Sequence, residues 1–375
     1  MLCDDYEVVV FDAGRHIGGH AHTIDVELAG ASYPCDVGFM VFNERTYPHF
    51  CRLLALLGVA SRESEMSFGV ACERTGLEYC GSSLAGLFAQ TSSLFRPSFW
   101  RMLYDVLRFN HEALGFVCGR DESLTLGQFV RERGYSDAFR DWYLVPMGAA
   151  IWSASPRDFL NFPARFIIGF LQNHGLLQVS DHPKWRTIVG GSREYLAELT
   201  KPFRERIHCA TPVEYIERRE DCVVVHAAEG KTARFDGVVL ATHPDLSLRL
   251  LADPSERERE ILSAFVYQPN EGALHTDERL LPAAAGAQAS WNYRIPQEEN
   301  EPVLVTYDLS RLQGHASPRP LLLTLNGTRR VDAAKLVRTI PFRHPVYTPA
   351  AWRAQGRREE IQGVRRTFFC GAYWA

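Results

Sequence analysis

An α/β fold built on a parallel sheet of the dinucleotide-binding kind is the class this sequence predicts, and three observations carry it. Glu7–Asp12 (EVVVFD) is a Val-rich run that ends in an acid and opens into a glycine-bearing loop, and Gly237–Ala241 (GVVLA) is a second run of that kind. Between them, residues 84–180 change to long helical patterns rich in Phe, Trp and Leu. Short continuous apolar runs read as strands buried on both faces, as in parallel sheets.

In chain order, Thr23–Leu28 and Ser32–Asp36 alternate as a hairpin turning at Ala29–Ala31. Thr46–Leu57 spaces Tyr47, Phe50, Leu53, Leu54 and Leu57 as one helix face. Pro97, Pro146, Pro156 and Pro163 each start or kink a helix in the helical stretch. After a Gly-Gly turn come a helix at Ser192–Arg206 and strands at Cys209–Ile216, Asp221–His226 and Gly237–Ala241. Glu256–Glu260 reads as a solvated helix face, and Val303–Tyr307 and Leu321–Leu325 read as strands. No repeat or low-complexity linker separates lobes, so two interleaved parts are expected. A nucleotide-binding part takes 1–60, 185–265 and 345–375; a largely helical α+β substrate part takes 61–184 and 266–344.

Composition narrows the function. The chain has 375 residues, 46% hydrophobic and 23% charged, which excludes disorder and fibrous repeats. A formal charge of −4 does not favour a nucleic-acid partner. Nine cysteines without a C-x-x-C suggest neither a disulfide framework nor a zinc ribbon, and a reducing cytoplasm is the expected compartment. The acids Asp4, Asp5 and Glu7 replace the basic start of a signal peptide, and no uncharged stretch is long enough to span a bilayer.

The nucleotide argument starts at Asp12. In dinucleotide folds an acid ending the second strand accepts hydrogen bonds from the ribose hydroxyls, although such an Asp is also a common turn residue. Gly18-Gly19, six residues on, lets backbone N–H groups approach a pyrophosphate.

Taken together, these segments resemble the flavin amine oxidase superfamily. Asp12-Ala13-Gly14-Arg15-His16-Ile17-Gly18-Gly19-His20 resembles its second-strand motif, and Asp36-Val37-Gly38-Phe39 its D-x-G segment. Trp185-Arg186-Thr187-Ile188-Val189-Gly190-Gly191-Ser192 is similar to its second Gly-Gly turn. Pro212-Val213, Asp236–Thr242 (DGVVLAT) and Phe369-Cys370-Gly371-Ala372-Tyr373-Trp374 are similar to later motifs in family order. GGHAHT, FNERTYP and WRTIVGGS are similar to a bacterial branch of NAD/FAD-binding oxidoreductases, a branch linked to cyclopropane-type lipid modification.

The resemblance implies FAD as cofactor. Asp12 would hold ribose; Arg15, Gly18, Gly19 and His20 would meet the pyrophosphate; Gly38, Gly190 and Gly371 would approach the flavin. Val213 and Ala241 complete the cofactor set. The early G-x-G-x-x-G that should precede the ribose acid by about 20 residues is not in the chain. The sequence is therefore expected to be a longer flavoprotein clipped at both ends, or a family member that has lost its cofactor.

The expected activity is FAD-dependent oxidation or desaturation of an apolar small molecule, with a fatty-acyl substrate implied by the resemblance alone. Amine oxidases often hold a lysine near the flavin. Of the four lysines here only Lys184 stands near a motif, and a surface role is the simpler reading of it. Tyr47, Trp152, Trp291, Tyr293 and Tyr307 are candidate substrate-cavity walls, core packing being the plain alternative. His16, His20 and His22 lack a carboxylate or Cys partner at metal spacing, so no metal is expected. Phe95–Phe109 reads either as an ordinary one-faced helix or as a helix lying on a membrane surface to collect a lipid. The oligomeric state is open. The rival functions are an S-adenosylmethionine-dependent methyltransferase and a non-catalytic, lipid-binding remnant.

Overall fold

A computed structural model describes residues 2–117, 124–152, 155–178, 183–298 and 304–374. Cys118 and Val303 lie outside the described residues. The chain divides into two compact units: Met1–Gly19, Leu196–Gln268 and Pro345–Ala375 form the first, and His20–Tyr195 with Pro269–His344 the second. Residues 20–60 and 185–195, assigned from sequence to the nucleotide-binding part, cluster by contact with the second unit.

The first unit carries two parallel strand pairs. Val10–Phe11 runs beside Ile207–His208, and Val238–Leu240 beside Thr367–Phe369. A three-stranded antiparallel sheet follows the first pair, made of Val213–Arg218, Val223–Ala227 and Lys231–Phe235. Its core gathers Ile216, Val223, Leu240, Leu250, Leu262, Phe265 and Phe369.

The expectation that EVVVFD and GVVLA are buried on both faces is corrected here. Val10–Phe11 is half-buried, and Val239 is exposed. Each strand has a single hydrogen-bonded neighbour among the described residues, so neither is enclosed as a central strand would be. The expected strand Cys209–Ile216 is also interrupted. Ala210 takes φ 50°, and its N–H donates to the Gly14 carbonyl at 2.7 Å. The Thr211 N–H donates to the Asp12 carbonyl at 2.9 Å. That segment leaves the sheet because its backbone is used to hold the loop after Asp12.

The second unit is built on a seven-stranded sheet ordered Leu336–Val346, Val266–His275, Leu322–Leu325, Leu304–Asp308, Trp291–Ile295, Phe68–Cys72, Leu77–Cys80. Trp291–Ile295 runs parallel to Phe68–Cys72, and the pairs on either side of these two strands are antiparallel. The hairpin forms as the alternation predicts, Thr23–Leu28 against Ala31–Asp36, with Ala29 and Gly30 both at positive φ in the turn.

Prolines set the helices. Pro97 opens the Pro97–Val117 helix, Pro156 sits at the first position of Pro156–Leu160, and Pro163 precedes Ala164–Asn173. Pro146 lies inside Val145–Trp152, directly after a π-helical turn at Arg140–Leu144. Proline has no N–H and clashes with the preceding turn, and a widened turn before it is one way for a helix to continue.

The charge run Glu256–Glu260 is not wholly solvated. Glu258 is buried within the Glu256–Ser263 helix, where it caps the Ser255 N–H and meets Arg218 at 2.5 and 3.0 Å. The Arg218 guanidinium beside it holds its carboxyl below the usual range against the cost of burial.

Candidate functional site

In the first unit the motif residues gather at the ends of the two parallel pairs. Asp12 follows Val10–Phe11, and one carboxylate oxygen accepts the Gly14 N–H at 2.7 Å. That bond closes an Asx turn and shapes the loop leading to Gly18-Gly19. The second oxygen has no hydrogen bond among the described residues. Arg15, Gly18 and Gly19 are exposed; Gly18 takes φ 108° and Gly19 φ 58°, conformations that favour glycine. A Cβ at Gly19 would meet nothing within 4 Å, so its peptide faces open space. Val213 begins the three-stranded sheet and is half-buried. Ala241 and Gly371 come just after the second pair, where the Cys370 N–H donates to the Leu240 carbonyl at 3.0 Å.

A flavin nucleotide needs a free carboxylate oxygen for ribose and unobstructed amides for a diphosphate. Asp12, Arg15, Gly18 and Gly19 supply both features. The residues present therefore fit the ADP half of the group.

In the second unit the D-x-G segment and the second Gly-Gly turn are joined by a buried carboxylate. Asp36 is 1% exposed. It accepts the Ser192 N–H at 2.9 Å on both oxygens, the Ser192 hydroxyl at 2.5 Å and the Thr23 hydroxyl at 2.6 Å. Burial raises its pKa, while the Ser192 and Thr23 hydrogen bonds and the Arg193 charge work in the opposite direction. Gln313 braces the same residue, donating to the Asp36 carbonyl at 2.8 Å and accepting its N–H at 2.9 Å. The motifs pointed to Asp36 and Ser192 as neighbours of glycines; no local signal marks Gln313.

Gly38 lies where a Cβ would stand 2.0 Å from the His20 carbonyl oxygen, so only glycine permits this approach. The His20 ring packs 5.6 Å from Phe342 and 5.9 Å from His344. Gly190 occupies the turn after Trp185–Ile188. Among the described residues no three His, Cys, Asp or Glu side chains are grouped to hold a metal ion.

The aromatic candidates fall into two groups of the second unit. Trp152 packs 4.7 Å from Phe170, Phe170 stacks on His174 at 3.8 Å, and His174 is followed by Trp185 at 6.3 Å and Tyr47 at 6.5 Å. The His174 Nδ1–H donates to the Phe170 carbonyl at 3.0 Å, which leaves Nε2 as the bare nitrogen. Burial lowers the His174 pKa, so the ring is neutral near pH 7. Sequence reading missed Phe170 and His174; only their four-residue helical spacing hints at them. In the other group Trp291 meets Tyr307 edge-on at 4.8 Å, and Tyr293 and Tyr307 are buried in the sheet core.

All four lysines are in ion pairs: Lys184 with Glu63, Lys201 with Glu198, Lys231 with Glu229 and Lys335 with Asp277.

A strand-ending carboxylate, open glycine amides and interleaved α/β units are compatible with a protein that binds a dinucleotide. A family model described as flavin containing amine oxidoreductase matches residues 4–335. The chain belongs to that family, and it is an FAD-dependent oxidoreductase. Comparison with curated proteins gives no match. Among solved structures, putrescine oxidase bound to putrescine superposes with a TM-score of 0.68 at 14% identity, covering 99% of this chain and 89% of that one. The CLA-producing fatty acid isomerase of P. acnes gives 0.68 at 15%, covering 97% and 87%. Cyclohexylamine oxidase of Brevibacterium oxydans IH-35A gives 0.68 at 14%, covering 99% and 89%. At this identity they share the fold. The family match sets aside the methyltransferase reading. Among the described residues no helix is long and apolar enough to cross a membrane.

Proposed function

We propose that the enzyme oxidises or desaturates an apolar small molecule, a fatty-acyl compound being the class that suits it best. The observation that carries this reading is the run of rings Tyr47, His174, Phe170 and Trp152, whose one titratable nitrogen pair is neutral. Aromatic faces and an uncharged imidazole suit an alkyl or alkenyl chain. Lys184, Lys201 and Lys231 sit in exposed surface pairs and Lys335 on Asp277, positions that do not favour the role lysine plays in amine oxidation. The P. acnes fold neighbour, a fatty acid isomerase, supports the same substrate class.

Bound FAD supplies the electron-accepting isoalloxazine, so the protein needs few catalytic groups of its own. Asp12 would accept from the ribose hydroxyls with its open oxygen. Arg15 would balance the diphosphate charge, and the amides of Gly18 and Gly19 would donate to its oxygens. Val213, Ala241 and Gly371 present small or apolar surface at the strand ends. The aromatic run would orient the apolar chain and exclude water, with His174 held in place by its Nδ1–H bond to the Phe170 carbonyl.

Anaerobic flavin reduction tests the reading. Long-chain acyl compounds are expected to bleach the flavin absorbance and putrescine or cyclohexylamine to leave it unchanged; the reverse result overturns the proposal. A Trp152→Ala variant should raise the KM for the acyl compound about tenfold or more, through lost aromatic contact.

A further inference from the structure

The Pro97–Val117 helix has two apolar faces, and folding uses one of them. Phe99, Met102, Phe109 and Ala113 are at most 1% exposed and face the protein. On the other side Trp100, Tyr104, Leu107 and Leu114 recur at helical spacing and remain exposed, Leu107 at 59%. Leu94 and Phe95 extend the stripe beyond the helix start, and Phe95 is 85% exposed. A helix of this length spans about 30 Å. Apolar surface along a row of that extent, interrupted at the exposed His111, marks an interaction site.

Charge and side-chain chemistry specify the occupant. The two acids of the helix are turned away or engaged: Asp105 is fully buried and bonds the Ser136 N–H, and Glu112 accepts from the Tyr135 hydroxyl at 2.8 Å. Arg101 is half exposed beside the stripe, paired with the buried Asp105 at 3.0 Å and with its guanidinium 5.6 Å from the Tyr104 ring centre. Arg96, half-buried, precedes the helix and donates to the Thr75 carbonyl, while Arg108 is turned inward onto Asp105 and Glu112. The solvent side of this helix therefore shows aromatic and aliphatic groups edged by Arg96 and Arg101. The Trp100 indole N–H donates to the Leu94 carbonyl at 2.9 Å, so the ring can enter an apolar medium without stranding its polar atom. Trp, Tyr and Leu beside Arg are what a helix lying in a lipid headgroup region presents. A second copy of the chain would bring the same arginines together, whereas anionic headgroups neutralise them.

We propose that the Leu94–Leu114 face docks on an anionic lipid bilayer, with Phe95, Trp100, Tyr104 and Leu107 entering the headgroup–acyl boundary. The inference rests on exposure and charge alone and stands whatever the substrate is. Flotation of the full chain with vesicles provides the test, using phosphatidylcholine alone and phosphatidylcholine with about a third phosphatidylglycerol. Binding is expected to the anionic vesicles, to weaken with salt, and to fall about tenfold or more in a Tyr104→Glu/Leu107→Glu variant. Arg101→Gln should weaken binding to the anionic vesicles only. Failure of the wild type to float, or equal flotation of wild type and double variant, overturns the proposal. So does a dimer in light scattering that the double variant converts to monomer. Trp100 quenching by brominated lipid, taken as the difference between wild type and Trp100→Phe, gives a second readout that does not depend on the charged variant folding.

Discussion

Asp36 holds Ser192 twice, through its backbone N–H at 2.9 Å and its hydroxyl at 2.5 Å, across 156 residues of sequence. Both residues are buried, so water cannot replace a lost bond. Ser192→Ala removes one hydrogen bond to a buried carboxylate and should cost about 1.5–3 kcal/mol in urea unfolding. Thr23→Val removes the second hydroxyl donor, at 2.6 Å, with a similar cost. The double variant should depart from additivity by at least about 0.5 kcal/mol, because both donors share one acceptor group.

His275 makes stability depend on pH. It is fully buried; its Nδ1 accepts the Asp277 N–H at 3.0 Å, so Nε2–H donates to the Thr324 hydroxyl at 2.7 Å. Burial lowers its pKa from 6.5 to about 4. The unfolded chain takes up a proton below about pH 6.5 and the folded chain does not until about pH 4. Stability is therefore complete above pH 7 and declines as pH falls through this window, by an upper bound of roughly 3 kcal/mol. Denaturant midpoints at pH 7.5, 6 and 5 should show the decline, and His275→Gln should flatten it.

The Arg218–Glu258 pair separates buried from surface charge on one helix. Glu258→Gln leaves Arg218 buried with only Asp253, 3.1 Å away, as a charged partner, and should cost about 3 kcal/mol. Glu260→Gln, two residues on, breaks an exposed pair with Arg357 and should leave the melting temperature unmoved within error.

Asp12 is the direct test of the nucleotide assignment. Asp12→Ala should purify with at most about a tenth of the wild-type flavin, as expected for loss of a charged hydrogen-bond acceptor, and with near-normal circular dichroism. Undiminished flavin absorbance would remove Asp12 from the ribose role.

Local features were the legible ones. The Thr23–Asp36 hairpin could be read because its alternation and turn residues act over a few positions. Helix starts at Pro97 and Pro156 were likewise legible, because proline constrains its own backbone. The exposure of Val239 was not, since a run of valines does not say how many neighbours its strand finds. Glu258 was hidden inside a charge run because its partner Arg218 lies on a different element. At the candidate site the glycine motifs marked Gly38 and Gly190 by type. The bond from Asp36 to Ser192, the brace from Gln313 and the stacking of His174 on Phe170 arise only when distant segments meet.

The parallel pairing of Val238–Leu240 with Thr367–Phe369 sets an order of events during synthesis. The ribosome must deliver more than a hundred further residues before the earlier strand finds its mate. Meanwhile the intervening 269–344 segment can already join the other unit. The nascent chain thus carries an unmatched Val-rich edge through more than a hundred residues of further synthesis, which makes the first unit the natural client for a chaperone and the last to become protease-resistant.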